Sequence, residues 1–158
     1  MTSHLHLSNT TGTCALVDDD LLEELISRKW LLLRNGYCGV FGEGKMLYLH
    51  REVIRLKNGS IEEQLLDHAN GDPLDNRAFN LRYASKSQNM CNRGKTKANT
   101  SGYKGVVYHP QSRKWRAYIK KQYKQYYLGI YATPEEAAVA YNLAATRLHG
   151  EFAVLNRI

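Results

Sequence analysis

Apolar and polar positions alternate in short stretches along the chain, and the pattern predicts small elements. Residues 14–17 (CALV) read as a strand. Asp18, Asp19 and Asp20 then open a helix expected over 21–29, with acids in its first turn and a base in its last, as the helix dipole favours. Apolar pieces at 30–33, 37–41 and 46–49 are separated by Asn35-Gly36 and Gly42-Glu43-Gly44. Asn-Gly between apolar runs is a hairpin signal, so a small antiparallel sheet is expected here. A short helix is predicted over 50–56, ahead of the turn at Asn58-Gly59, and a strand at Leu81–Ala84. Ser85 and Gln88 form a capping-box pair that starts a helix over 86–92.

The last third is patterned more sharply. Trp115, Ala117 and Ile119 alternate with Arg116, Tyr118 and Lys120, which predicts a strand with one apolar and one cationic-aromatic face. Runs at 105–109 and 126–131 complete three antiparallel strands. Thr133, Pro134 and Glu136 supply an N-cap, an N1 proline and a capping-box acid. Ala137, Tyr141, Ala144 and Leu148 make one apolar stripe, and Gly150 ends the helix. Such a helix covers one sheet face and leaves Arg116, Tyr118 and Lys120 outward, with Trp115 on the helix side as core. Between the halves, residues 93–102 are basic, punctuated by Gly and nearly free of apolar side chains, as a linker is. The expected organisation is one domain over 1–92, a linker over 93–102 and a second domain over 103–158.

Charge changes the picture. The 158 residues carry a net +7. Residues 1–84 hold nine Lys/Arg against twelve Asp/Glu, a net −3, and residues 85–158 hold thirteen against three, a net +10. A basic half of this kind suits a polyanion such as double-stranded DNA, because neutralising phosphates releases condensed counterions; a merely solvated basic surface is the bland alternative. The three cysteines, Cys14, Cys38 and Cys91, form no CxxC pair, so no structural zinc is expected and they read as scattered thiols. Residues 1–13 lack the apolar region of a signal peptide, and no apolar run approaches the roughly 18–20 residues of a membrane span. The expectation is therefore a cytoplasmic protein with no membrane partner, in the host cytoplasm if phage-encoded, and a monomer or homodimer.

The chemistry concentrates in residues 67–89. Asp67 and His68 are adjacent, a loop with Asn70-Gly71 and Asp72-Pro73 follows, and the capped helix then carries Asn89. A hard divalent cation accepts a carboxylate and an amide oxygen when phosphate and water complete its shell, and Asp67 and Asn89 can supply that pair. An ordinary imidazole is largely neutral near pH 7, so His68 could take a proton from water. Each element alone has a plain reading: an Asp-His pair at the surface, a turn, a loop asparagine bonding its own backbone. Their joint spacing argues otherwise.

As D-H-x-N-G-x-x-x-D-N-R-x-x-N-L-R followed by S-Q-N, residues 67–89 resemble the HNH (ββα-metal) nuclease family. The resemblance implies an α+β protein whose ββα-metal domain precedes a three-stranded antiparallel sheet packed on one helix. It implies His68 as general base, Asn80 orienting His68 and the loop, Asp67 and Asn89 as metal ligands, and Mg2+ or another divalent cation such as Mn2+. Asn89 departs from the more usual His at its position and is a weaker, neutral ligand. His50-Arg51 also resembles a stretch that phage and intron relatives carry, with a structural or backbone-contacting role. Residues 101–156 resemble the Apetala-type DNA-binding domain of plant ethylene-response factors, through Ser101–Tyr108, Lys114–Ile119, Tyr127–Tyr131 and Ala140-Tyr141-Asn142. That resemblance implies DNA contacts from Lys104, Lys114, Arg116, Tyr118, Lys120, Lys124 and Tyr127, and Arg82, Arg93, Lys95 and Lys97 join them as candidate contacts. The expected function is a divalent-metal-dependent DNA endonuclease or nickase. The rival is a non-catalytic DNA-binding regulator with an HNH-like scaffold, and an RNA-binding or structural protein stands third.

Overall fold

The structure is a computed structural model that describes residues 1–42, 44–92, 94–95 and 99–158. Its contacts divide the chain into two units, Met1–Ala84 and Ser85–Ile158. The division falls earlier than the boundary expected after residue 92, because the helix over 86–92 packs on a strand and a 3-10 turn of the C-terminal unit.

The N-terminal unit is a set of small antiparallel sheets around one core. β1 (Thr2–His6) pairs with β2 (Cys14–Asp18). β1 was not predicted: among its polar residues only Leu5 is buried, which leaves little apolar signal. The helix expected over 21–29 is shorter, a 3-10 turn at Asp19–Leu21 running into α1 (Leu22–Ile26). β3 (Leu31–Leu32), β4 (Cys38–Gly42) and β5 (Lys45–Tyr48) form the expected sheet, and the Asn35-Gly36 turn joins its first two strands. α2 (Leu49–Asn58) ends at Gly59 in the left-handed conformation, and β6 (Leu65–His68) pairs with β7 (Leu81–Ala84). The side chains of Val17, Leu25, Trp30, Cys38, Leu49 and Val53 fill the centre. Burial pushes the Cys38 thiol up to about 11, so it behaves as an apolar core group.

In the C-terminal unit, α3 (Lys86–Asn92) begins at the expected capping box: the Gln88 N–H donates to Ser85 Oγ and the Ser85 N–H to Gln88 Oε1. β8 (Val106–His109), β9 (Lys114–Lys121) and β10 (Lys124–Tyr131) form an antiparallel meander with β9 in the middle. α4 (Pro134–His149) packs across all three. Its N-terminus is the predicted capping box, Thr133 Oγ1 accepting from the Glu136 N–H and Glu136 Oε2 from the Thr133 N–H. Ala117 and Ile119 meet Ala137, Ala138, Tyr141 and Ala145 on the covered face, and Trp115 packs with them as expected. Among the described residues no helix is long and apolar enough to cross a membrane.

Packing here is close enough to demand glycine at 105. A Cβ at that residue would run into the Tyr141 ring and lie 2.6 Å from the Tyr118 carbonyl oxygen, and its φ of +75° is unfavourable for other residues. Gly105→Ala is expected to lower the stability of this unit by about 2–3 kcal/mol, the cost of overpacking plus strain. Thermal unfolding followed by circular dichroism checks it: the melting temperature should fall markedly.

Candidate functional site

The loop between β6 and β7 is built by its own polar side chains. Gly71 takes φ +76°, which lets its N–H turn back to the His68 carbonyl at 2.9 Å. Asn70 Oδ1 accepts from the Asp72 N–H and Asp72 Oδ1 from the Leu74 N–H, both at 2.9 Å. Asp75, buried, binds the Arg77 guanidinium through both oxygens at 2.7 Å, and Asn70 Nδ2 also donates to it. These donors hold the Asp75 carboxyl below the usual carboxylate range, the Arg77 hydrogen bond contributing most. The loop is stitched to β2 as well: the Leu16 N–H donates to the Leu74 carbonyl, the Asn76 N–H to the Leu16 carbonyl, and the Ala78 N–H to Asp18 Oδ2, each at 2.8 Å.

Asn80 serves this loop. Its Oδ1 accepts from the Asn70 N–H, and its Nδ2 donates to Asn70 Oδ1 and to the Asp75 carbonyl. The imidazole of His68 is held by Asn76, with Nε2 at 3.3 Å from Asn76 Oδ1. Of the expected role of Asn80, orienting His68 and the loop, its side-chain hydrogen bonds are those to the loop. Asn80 shapes the loop, and Asn76, fully buried, reaches the ring. Asn76 Nδ2 donates to the Pro73 carbonyl, which leaves Oδ1 as the acceptor. With Asn76 Oδ1 as the acceptor, the His68 tautomer that satisfies this contact is the one with Nε2–H. The sequence string D-N-R contained Asn76, but only the fold brings it to His68.

Adjacent residues of a strand project to opposite faces. Asp67 meets its cross-strand partner Arg82, whose Nε and Nη2 donate to Asp67 Oδ2 at 3.2 and 3.1 Å. Arg82, expected as a DNA contact, is engaged in this pair. On the other face, His68 enters a cluster of rings. His50 lies edge-on to it with centroids 5.3 Å apart, and Tyr37 stands 5.7 Å away. Arg51 is structural, as expected of the pair: its guanidinium donates to the Glu62 and Gln64 carbonyls ahead of β6.

Both imidazoles are buried, which disfavours their charged forms. Desolvation depresses His68 against the hydrogen bond to Asn76 and the charges of Asp67, Asp72 and Asp75. Burial, with His68 and Arg51 nearby, drives His50 down to about 3. Among the described residues no group of three or more His, Cys, Asp or Glu side chains is placed to hold a metal. A cation at Asp67 would thus draw on amide, phosphate and water oxygens.

The C-terminal unit offers a second surface. Register places Arg116, Tyr118 and Lys120 of β9 on the face opposite α4, together with Gln125 and Tyr127 of β10. Lys114, Lys120 and Tyr127 are exposed there, and Arg116 Nε is buried without a hydrogen bond. Lys124 is exposed but pairs with Lys121, in the register of the helix side. Lys104 is placed otherwise than expected: its amine donates to the Cys91 carbonyl at 2.6 Å and its backbone is clasped by Asn156. Lys95 donates to the Gly102 carbonyl. Arg93 and Lys97 lie outside the described residues. Asn89 is on α3, half-buried.

Comparison with known proteins finds matches in both halves of the chain. An HNH endonuclease family model matches residues 47–91, and an AP2 domain model matches 101–151. An uncharacterized HNH endonuclease of Acanthamoeba polyphaga mimivirus is 33% identical over 154 residues, 96% of this chain and 79% of that protein. Protein 3.8 of Escherichia phage T7 is 33% identical over 105 residues, 66% of this chain and 86% of its own. An AP2-like ethylene-responsive transcription factor of Arabidopsis thaliana is 47% identical over 58 residues, 35% of this chain and 17% of its own.

The neutral burial of His50 has a measurable consequence. Its pKa falls from 6.5 unfolded to about 3 folded, so between these values the unfolded chain binds the extra proton. Stability from this group is full above pH 6.5 and drains away as pH falls toward 3, by about 1.4 kcal/mol per pH unit. His50→Phe removes the titration. Unfolding midpoints measured from pH 7 to pH 4 should fall less steeply for that variant than for the native chain.

Proposed function

The chain belongs to the HNH endonuclease family, and on that premise we propose that it hydrolyses DNA phosphodiesters at His68, directed by its C-terminal AP2 domain. The observation that carries this reading is the buried imidazole of His68, kept neutral by desolvation and held by Asn76. A neutral imidazole is an acceptor for the proton that water must lose on attacking a phosphate.

A hard cation at Asp67 would take a carboxylate oxygen together with amide, phosphate and water oxygens. The family resemblance names the Asp67 carboxylate and the Asn89 amide oxygen as the groups that would hold Mg2+ or Mn2+. When bound, such an ion neutralises charge developing on the phosphate and on the leaving 3′-oxygen. The chain's own groups do the rest. Arg82 keeps one oxygen of Asp67 charge-paired, Asn76 orients His68, and Asn80 with Asp75 and Arg77 keeps the loop in shape. In-line attack by the activated water leaves 5′-phosphate and 3′-hydroxyl ends. One centre per chain makes one cut per encounter, so nicked circles should precede linear product.

His68→Ala should abolish nicking of supercoiled plasmid while DNA binding survives in a gel shift; retained cutting would exclude His68 as the base. EDTA should stop the native chain, and cleavage unaffected by it would exclude a divalent ion.

DNA docking is assigned to the outer face of the β8–β9–β10 sheet, with Arg116, Tyr118, Lys120 and Tyr127 central and Lys114 at its margin. Lys120→Ala should weaken binding and reduce the slope of log K against log salt by about 1, as expected when one fewer phosphate is neutralised. Fluorescence anisotropy at several salt concentrations measures it.

A further inference from the structure

We infer that His50 is a positioning residue for His68, its ring fixing the plane of the imidazole that takes the proton. The inference rests on the reading of His68 as the base. His50 stands at the start of α2, 8% exposed, and its buried Nδ1 makes no hydrogen bond. An unpartnered buried nitrogen costs stability, and an apolar side chain would fill the same place without that cost. The residue's value therefore lies in what the ring touches.

That ring is the centre of a cluster. It meets His68 edge-on at 71° with centroids 5.3 Å apart, Tyr37 at 5.4 Å and Tyr48 at 5.6 Å. Tyr37 also reaches His68, at 5.7 Å and 56°. The hydrogen bond to Asn76 pins one nitrogen of His68 but does not by itself set the plane of the ring. A ring edge and a tilted phenol beside it block rotation about the N···O axis. The supports come from three places: Tyr37 after the Asn35-Gly36 turn, Tyr48 at the end of β5 and His50 in α2. Burial also keeps His50 uncharged, so it does not oppose a proton arriving on its neighbour.

The test uses the full chain with His50→Ala, His50→Phe and His50→Asn. Plasmid nicking in Mg2+ gives kcat and KM, and 15N NMR of the His68 ring reports its tautomer. Misplacing a reacting group by about 1 Å costs on the order of 100-fold, so His50→Ala should lower kcat about 10- to 100-fold with KM unchanged. His50→Phe, which restores a ring edge, should recover the rate and the Nε2–H tautomer of His68. His50→Asn keeps a polar group near the Nδ1 position without a ring and should not recover it. Native cutting by His50→Ala would overturn the inference, and so would rescue by Asn but not by Phe, which would give the nitrogen the role. Should His50→Ala fail to fold by circular dichroism, the Phe and Asn pair decides alone. A His68→Ala control that still cuts would instead sink the reading of His68, whatever His50 does.

Discussion

The site depends on the contact between two buried side chains, His68 Nε2 and Asn76 Oδ1, 3.3 Å apart. With the amide oxygen as acceptor, it favours the Nε2–H tautomer of the ring. The bond is meaningful only because Asn76 cannot turn over. Its amide nitrogen is committed to the Pro73 carbonyl and its backbone N–H to the Leu16 carbonyl of β2. Around it, Asn70, Asp75, Arg77 and Asn80 bond one another, so the loop is a polar core satisfied from within. Such networks are stable when every member is paired and costly when one is missing. The β1–β2 hairpin, which looks peripheral in the chain order, is therefore part of the site's foundation.

The charge division follows the same logic. The acidic N-terminal unit keeps its cations busy: Arg77 on Asp75, Arg82 on Asp67, and Arg28 and Arg55 on Glu52. The basic C-terminal unit leaves Lys114, Lys120 and Tyr127 exposed on strands of its sheet. One unit is arranged for chemistry on a phosphate, the other for holding a polyanion in register, where phosphate contacts position the duplex and few side chains read bases.

Much of this is legible in the sequence. The alternation in 115–120 gave both faces of β9, and the Thr133-Pro134 start and the Ser85–Gln88 box marked helix ends correctly because they depend on contacts within four residues. The D-H-x-N-G string located the loop for the same local reason. Illegible were features set by distant pairing. β1 carries one buried side chain and so no period; Asn76 contacts His68 because of how the loop closes on β2; and Lys104 points its amine at Cys91 because Asn156 fixes its backbone. Asp67 and Arg82 were each singled out for other roles. Their pairing needed the β6–β7 register, which alone sets them opposite each other.

Chemical rescue of a ring-deleted enzyme tests the role of His68 most directly. In His68→Gly, added imidazole should restore plasmid nicking in proportion to its concentration, and methylated imidazoles should discriminate by which nitrogen is left basic. Full activity of His68→Gly without imidazole, or no restoration at any concentration in a chain that still folds and binds DNA, would contradict a proton-accepting His68.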